Sequence, residues 1–181
     1  MKKKLIGWSL GIGLALLAAL IAFNLESVGR RESALLAPPA KRFSTYARYD
    51  LKPMVLSEAV RRENDKLRAA GEFETVLRAK LQPLLDNWQA NPADVRFGTL
   101  VIEPQLVSLK IIRGGAGFWA AAFTGEPRID IDLVISDQSN GREIAKPRLT
   151  QYAEVGRFRQ TDQKLMDYIA STAYHYLAEN Y

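Results

Sequence analysis

Between Leu5 and Leu25 the chain runs for 21 residues without a charge, and only Ser9 and Asn24 carry polar side chains. A helix of that length is about 30 Å long, the thickness of a bilayer's hydrocarbon core. A soluble helix would need a polar face, which this run lacks. The segment is therefore set apart from any globular fold, and residues 1-25 read as a signal anchor that spans the membrane. Lys2, Lys3 and Lys4 stand before it, so the positive-inside rule leaves residues 26-181 on the far side. A cleaved signal peptide has a shorter apolar core and a small-x-small cleavage site, for which Ser27-Val28-Gly29 is the available candidate. The length favours the uncleaved anchor. The expected location is the bacterial inner membrane, single-pass with a periplasmic domain, and the alternative is a secreted or periplasmic product of cleavage.

Along the span Gly7, Gly11, Ala15 and Ala19 recur every four residues and share one helix face. Small residues at that spacing let two helix backbones approach, so a homodimer through the transmembrane helix is one reading. The other is the ordinary Gly, Ala and Leu content of export segments.

The formal net charge of +5 belongs to this end of the chain. Residues 1-42 hold seven Lys and Arg against Glu26 and Glu32, and the remainder balances eighteen basic with eighteen acidic side chains. A domain without a basic surplus is a poor match for nucleic acid. With no cysteine and one histidine, His175, the chain offers no disulfide, no Cys-ligated metal and no multi-histidine centre. No metal or cofactor is expected. His175 reads as a surface or edge residue rather than a member of a triad, because no Gly-x-Ser-x-Gly elbow accompanies it.

Residues 26-42, with Pro38 and Pro39, read as a linker, and residues 43-181 as one extracytoplasmic domain. Phe43 to Lys52 alternate as a strand that Pro53 ends. Ser57 is placed to cap a helix through Arg68 that Gly71 closes or bends. Phe73, Val76, Leu77, Leu81, Leu84, Leu85 and Trp88 carry a second helical stretch that Pro83 kinks and Asn91-Pro92 stops. Val95 to Arg113 is β-like with a break at Pro104. Ile129, Ile131, Leu133 and Ile135 alternate with Arg128, Asp130, Asp132, Val134 and Ser136, the pattern of a strand with one buried face. Asp137 to Gly141 turns the chain, and Arg142 to Phe158 returns as its partner. A final helix presents Leu165, Met166, Ile169, Thr172, Ala173, Tyr176 and Leu177. This order predicts an α+β domain, a two-layer antiparallel sheet with helices on one face.

The strand ending in Lys110 to Gly115, then Ala-Phe-Thr-Gly-Glu-Pro, an alternating strand and Asp137-Gln138-Ser139-Asn140-Gly141-Arg142-Glu143-Ile144-Ala145 resemble a family of small exported bacterial domains, many of them lipid-anchored and without an established function. The resemblance covers residues 43 to 181 and implies a lipoprotein-like envelope domain with no established active site. The chain departs from it in having no cysteine to acylate, which leaves the N-terminal helix as the anchor.

Three constellations carry the functional expectations. Phe118, Trp119 and Phe123, in the Gly-rich stretch 114-125, either plug the core or form a contact for a partner or lipid. Asp130 and Asp132 share a strand face, where they either do acid-base work in an exported hydrolase or pair with Arg142, Lys146 and Arg148 across a solvated face, the reading preferred here. A carrier of an apolar ligand would require a cavity near Trp119. The main expectation is a non-enzymatic, single-span envelope protein whose domain contacts a membrane surface or an unidentified envelope protein.

Overall fold

The computed structural model describes residue 30 and residues 32–91, 98–110, 127–152 and 162–181. The apolar run with Gly7, Gly11, Ala15 and Ala19 lies outside them, as do Phe118, Trp119 and Phe123. Among the described residues no helix is long and apolar enough to cross a membrane.

After a 3-10 turn at Phe43–Thr45 the elements are β1 (Arg48–Leu51), β2 (Val55–Leu56), α1 (Glu58–Arg61), α2 (Asn64–Ala90), β3 (Thr99–Lys110), β4 (Arg128–Asp137), β5 (Glu143–Ala145), β6 (Arg148–Tyr152) and α3 (Asp162–Glu179). They make an α+β domain: β1 and β2 pair with β3, β3 with β4, and β4 with both β5 and β6. The sheet is mixed, which corrects the antiparallel expectation. β1 and β2 run parallel to β3 because the helices return the chain before β3 begins, and a parallel pair requires such a crossover. The other pairs are antiparallel.

β3 and β4 are the centre of the sheet. Leu100, Ile102, Pro104, Leu106 and Leu109 face the helices from β3, opposite Ile135, Leu133, Ile131 and Ile129 of β4, and every one of these residues is buried. α2 answers with Phe73, Leu77, Leu81, Leu85 and Trp88, and α3 with Leu165, Met166, Ile169, Ala173, Tyr176 and Leu177, in one continuous core. The rings of Trp88 and Tyr181 stack at 4.2 Å, and Tyr49 meets Trp88 edge-on at 5.1 Å.

Pro104 does not break β3. Lys52 donates to Ile102 and Ser57 to Leu106, so even-numbered residues of β3 point their backbone toward β1 and β2. Pro104, which has no N–H to offer, stands where that edge is interrupted between the two short strands. The interruption is tied instead to α2: Glu74 accepts from the Met54 N–H at 3.1 Å, and Arg78 donates to the Leu51 and Lys52 carbonyls at 3.4 and 3.3 Å. Gln89 accepts from the Tyr49 N–H at 3.3 Å. An edge covered in this way is a poor template for another strand.

Several local expectations need correcting. Phe43 to Leu51 is not one strand, because a 3-10 turn shifts the phase and buries Tyr46 along with Phe43, Tyr49 and Leu51. The Tyr46 hydroxyl donates to Asp137 at 3.1 Å, and burial followed by that carboxylate pushes its pKa up to about 12. Ser57 precedes only the short α1, and its hydroxyl donates to the Val107 carbonyl at the β3 bulge and accepts from no helix N–H. α2 passes through both Gly71 and Pro83. Pro83 removes the bond to Ala79, and both residues lie on the exposed face of the helix, which continues through them to Ala90. The return strand is divided at Lys146-Pro147, where the Pro147 carbonyl still accepts from Leu133. The turn at Asp137 to Gly141 is as expected, closed by Gly141 at a φ of +67°.

Residues 32–42, within the stretch read as a linker, lie along α3. Ser33, 4% exposed, donates to Glu179 at 3.0 Å, and Thr172 donates to Glu32 at 3.2 Å. Tyr176 donates to the Ala37 carbonyl at 3.0 Å, and the Ala40 N–H to Ile144 of β5 at 2.9 Å. The strap thus covers α3 at Thr172 and Tyr176, and Ala170, Ser171 and His175 of the same helix are buried as well. His175 is 5% exposed, not a surface residue.

At Gly71 an added methyl group would meet nothing within 4 Å, and the backbone is helical. Gly71→Ala is expected to raise stability by about 0.5 to 1 kcal/mol through helix propensity and a less flexible unfolded chain. Denaturant unfolding of both proteins checks this; an unchanged or lower midpoint would contradict a continuous helix here.

Candidate interaction face

The face of the sheet turned away from α2 and α3 carries the other half of each strand's alternation. Register places Asp130 between Ser108 and Thr150, Asp132 between Gln105 and Arg148, and Arg128 between Lys110 and Tyr152. Sequence alternation brings both aspartates to this face, and the β4–β6 register brings the arginine.

The carboxylates are not solvated. Asp130 and Asp132 are 4% and 5% exposed, whereas the side chains of Arg128, Lys146 and Arg148 remain 41%, 42% and 60% exposed. The basic chains form the outer surface, their stems covering the acids. Arg148 grips Asp132 with two nitrogens, Nε to Oδ1 at 2.6 Å and Nη2 to Oδ2 at 2.8 Å, and Lys146 stands 4.0 Å from Oδ2. Arg128 Nε lies 2.8 and 2.7 Å from the two oxygens of Asp130, and the Thr150 hydroxyl donates to Oδ1 at 2.7 Å. The Arg128 guanidinium also lies 5.0 Å from the centre of the half-exposed Tyr152 ring. Of the three basic partners expected across the turn, Arg148 and Lys146 reach Asp132. Arg142 instead acts through its backbone, its carbonyl accepting from the Asp137 N–H at 2.9 Å. Arg128, two residues before Asp130 on the same strand, is the partner that alternation alone does not suggest.

This arrangement fixes charge rather than moving protons. The Arg148 hydrogen bonds hold the Asp132 carboxyl below its usual range, outweighing the opposing effect of burial. A general acid working near neutral pH needs the opposite displacement. Among the described residues, no group of three or more His, Asp or Glu side chains converges as a metal site. The groove between α2 and the β1–β2 connection, lined by Leu51, Met54, Leu77 and Pro104, is spanned by the Glu74 and Arg78 bonds to the backbone.

Asp132→Asn is expected to lower stability at pH 7 by about 1 to 2 kcal/mol, the low end of breaking a buried polar pair because Arg148 can return to water. The folded value is depressed below the ordinary aspartate value of about 3.9, so this contribution is complete above that pH and disappears as pH falls through the folded value. Unfolding titrations from pH 7 to pH 3 should show the two proteins converging in acid. A gap that stays constant would contradict the ion-pair account.

No family model and no curated protein matches the sequence. Among solved structures, the PelC dodecamer from Paraburkholderia phytofirmans is similar over 78% of this chain and 94% of its own, at 14% identity and a TM-score of 0.48. A Caulobacter crescentus CB15 protein named as a lipoprotein is 19% identical over 72% of this chain and 85% of its own, with a TM-score of 0.38. A Xanthomonas campestris protein of DUF330 is 8% identical over 80% and 92%, with a TM-score of 0.37. All three are distant likenesses.

Proposed function

We propose that this chain is a single-span, membrane-anchored envelope protein whose domain works by contact, with a membrane surface or an envelope protein, and not by catalysis. The observation that carries the non-catalytic part is the pairing of Asp130 with Arg128 and of Asp132 with Arg148. Asp132, held ionised by Arg148, is poorly placed to act as an acid, and the hydrolase alternative depends on these carboxylates being free to engage a substrate. The anchor rests on the uncharged run from Leu5 to Leu25 behind three lysines, and on the charge balance of everything after residue 42. Contact through Phe118, Trp119 and Phe123 remains part of the proposal, because those rings supply more apolar area than a connection between adjacent strands requires. Helix pairing through Gly7, Gly11, Ala15 and Ala19 is the associated route to a homodimer.

The anchor and the non-catalytic role are tested separately. After alkaline carbonate washing of membranes, the full-length chain is expected in the pellet. A shorter soluble form cut near Gly29 would remove the anchor. In a strain that depends on the protein, Asp130→Asn with Asp132→Asn should retain function at matched protein levels. A folded double variant without function would contradict this reading and favour an enzyme or a cation site built on these carboxylates.

A further inference from the structure

The strap across α3 holds a short apolar run outward. Ala34 to Ala40 read Ala-Leu-Leu-Ala-Pro-Pro-Ala, and Ala34, Leu35, Ala37, Pro38 and Ala40 are exposed. Leu35 is 86% exposed, the most exposed large apolar side chain among the described residues. Single exposed leucines are common and need no cause. This one differs in being uncovered on a segment whose backbone is tied down on both sides. The Leu35 and Leu36 N–H groups bond back to Glu32 and Ser33 at 3.1 and 3.0 Å, Ser33 is fastened to Glu179, and Ala37 to Tyr176. Leu35 is thus held outward on a fixed backbone, while its neighbour Leu36 packs partly against the core.

Its position along the chain says what can cover it. The apolar run ends at Leu25, five residues before Arg30, and a chain of that length reaches at most roughly 18 Å. The headgroup layer beyond the hydrocarbon core is about 5 to 7 Å deep on each side. A strap that starts this close to the bilayer, with exposed Arg30 before the apolar run and exposed Lys41 and Arg42 after it, has the composition of an interfacial segment. Glu32, the acidic residue in the same stretch, accepts from Thr172 of α3.

We propose that residues 34–40 are a membrane-docking strap: Leu35 and its apolar neighbours enter the phospholipid interface while Arg30, Lys41 and Arg42 meet its phosphates, holding the strap and the flank of α3 against the bilayer. This rests on the anchor reading above and adds an orientation to it. The strap's bonds to α3 would make that orientation rigid, and Asp65 supplies an exposed comparison position remote from it, roughly 35 Å along α2 from Trp88, which stacks on Tyr181 beside the strap.

The absence of cysteine allows a clean test. The full chain carrying Leu35→Cys, and separately Asp65→Cys, is labelled with bimane and reconstituted into vesicles of phosphatidylethanolamine and phosphatidylglycerol, with the same labelled proteins in detergent-free pelleting controls. Both positions are exposed, so neither change removes a core contact. The label at 35 is expected to shift to the blue and to lose quenching by aqueous iodide, while the label at 65 stays fully quenched. If the protein floats with vesicles yet position 35 is quenched like position 65, the anchor stands and the docking strap is wrong. If the protein does not float with vesicles, the anchor reading fails and the strap falls with it.

Discussion

The register between β3 and β4 is the constraint on which the rest of this domain depends. With Ile102 opposite Ile135 and Leu106 opposite Ile131, one face of both strands is apolar and the other polar. A slip of one residue would turn Asp130 and Asp132 toward α2 and α3 and put Ile129, Ile131, Leu133 and Ile135 outside. Burying those carboxylates without their arginines would be costly, so the polar face enforces the register as firmly as the apolar one. The bulge at Val107 adjusts the pairing so that Leu109 and Ile129 close the core together, and Ser57 occupies the bulged carbonyl.

Much of the fold was legible wherever a regular element buries one face. Ile129 to Ile135, the α2 stripe from Phe73 to Trp88 and the α3 stripe from Leu165 to Leu177 all turn toward one continuous core, so period and burial agree. Legibility failed where the cause lay elsewhere in space. Pro104 reads as a break until the interrupted edge beside it is known. Tyr46 was missed because a three-residue turn changes the phase between two alternating stretches. The parallel direction of β1 follows from the length and path of the helices, which alternation within β1 does not encode.

The polar face was half legible for a related reason. Alternation identified Asp130 and Asp132 as outward, and the hairpin supplied Arg148 as a partner. Outward was equated with solvated, yet long basic side chains lying over short acids bury the acids on an open face. The strap shows the same limit. Glu32, Ser33, Ala37 and Ala40 carry no periodic signal, and each is held by one distant group: Thr172, Glu179, Tyr176 and Ile144. A prolines-and-charges composition reads as a tether when its partners lie about 100 to 150 residues away in sequence. Phe118, Trp119 and Phe123 lie outside the described residues, so their part in contact rests on the sequence alone.

The central physical claim is that the strap and the β3–β4 pair belong to one cooperative unit, which is what gives a membrane-proximal domain a fixed orientation. Amide hydrogen exchange of the full-length protein in detergent micelles tests it residue by residue. The account predicts that the amides of Ala40 and Phe43, bonded to Ile144 and Asn180, exchange with the same opening free energy as those at the centre of α3, below the β3 and β4 amides by little. Exchange of Ala40 and Phe43 at the rate of an unstructured peptide, with β3, β4 and α3 still protected, would contradict it and return residues 32–42 to the status of a loose linker.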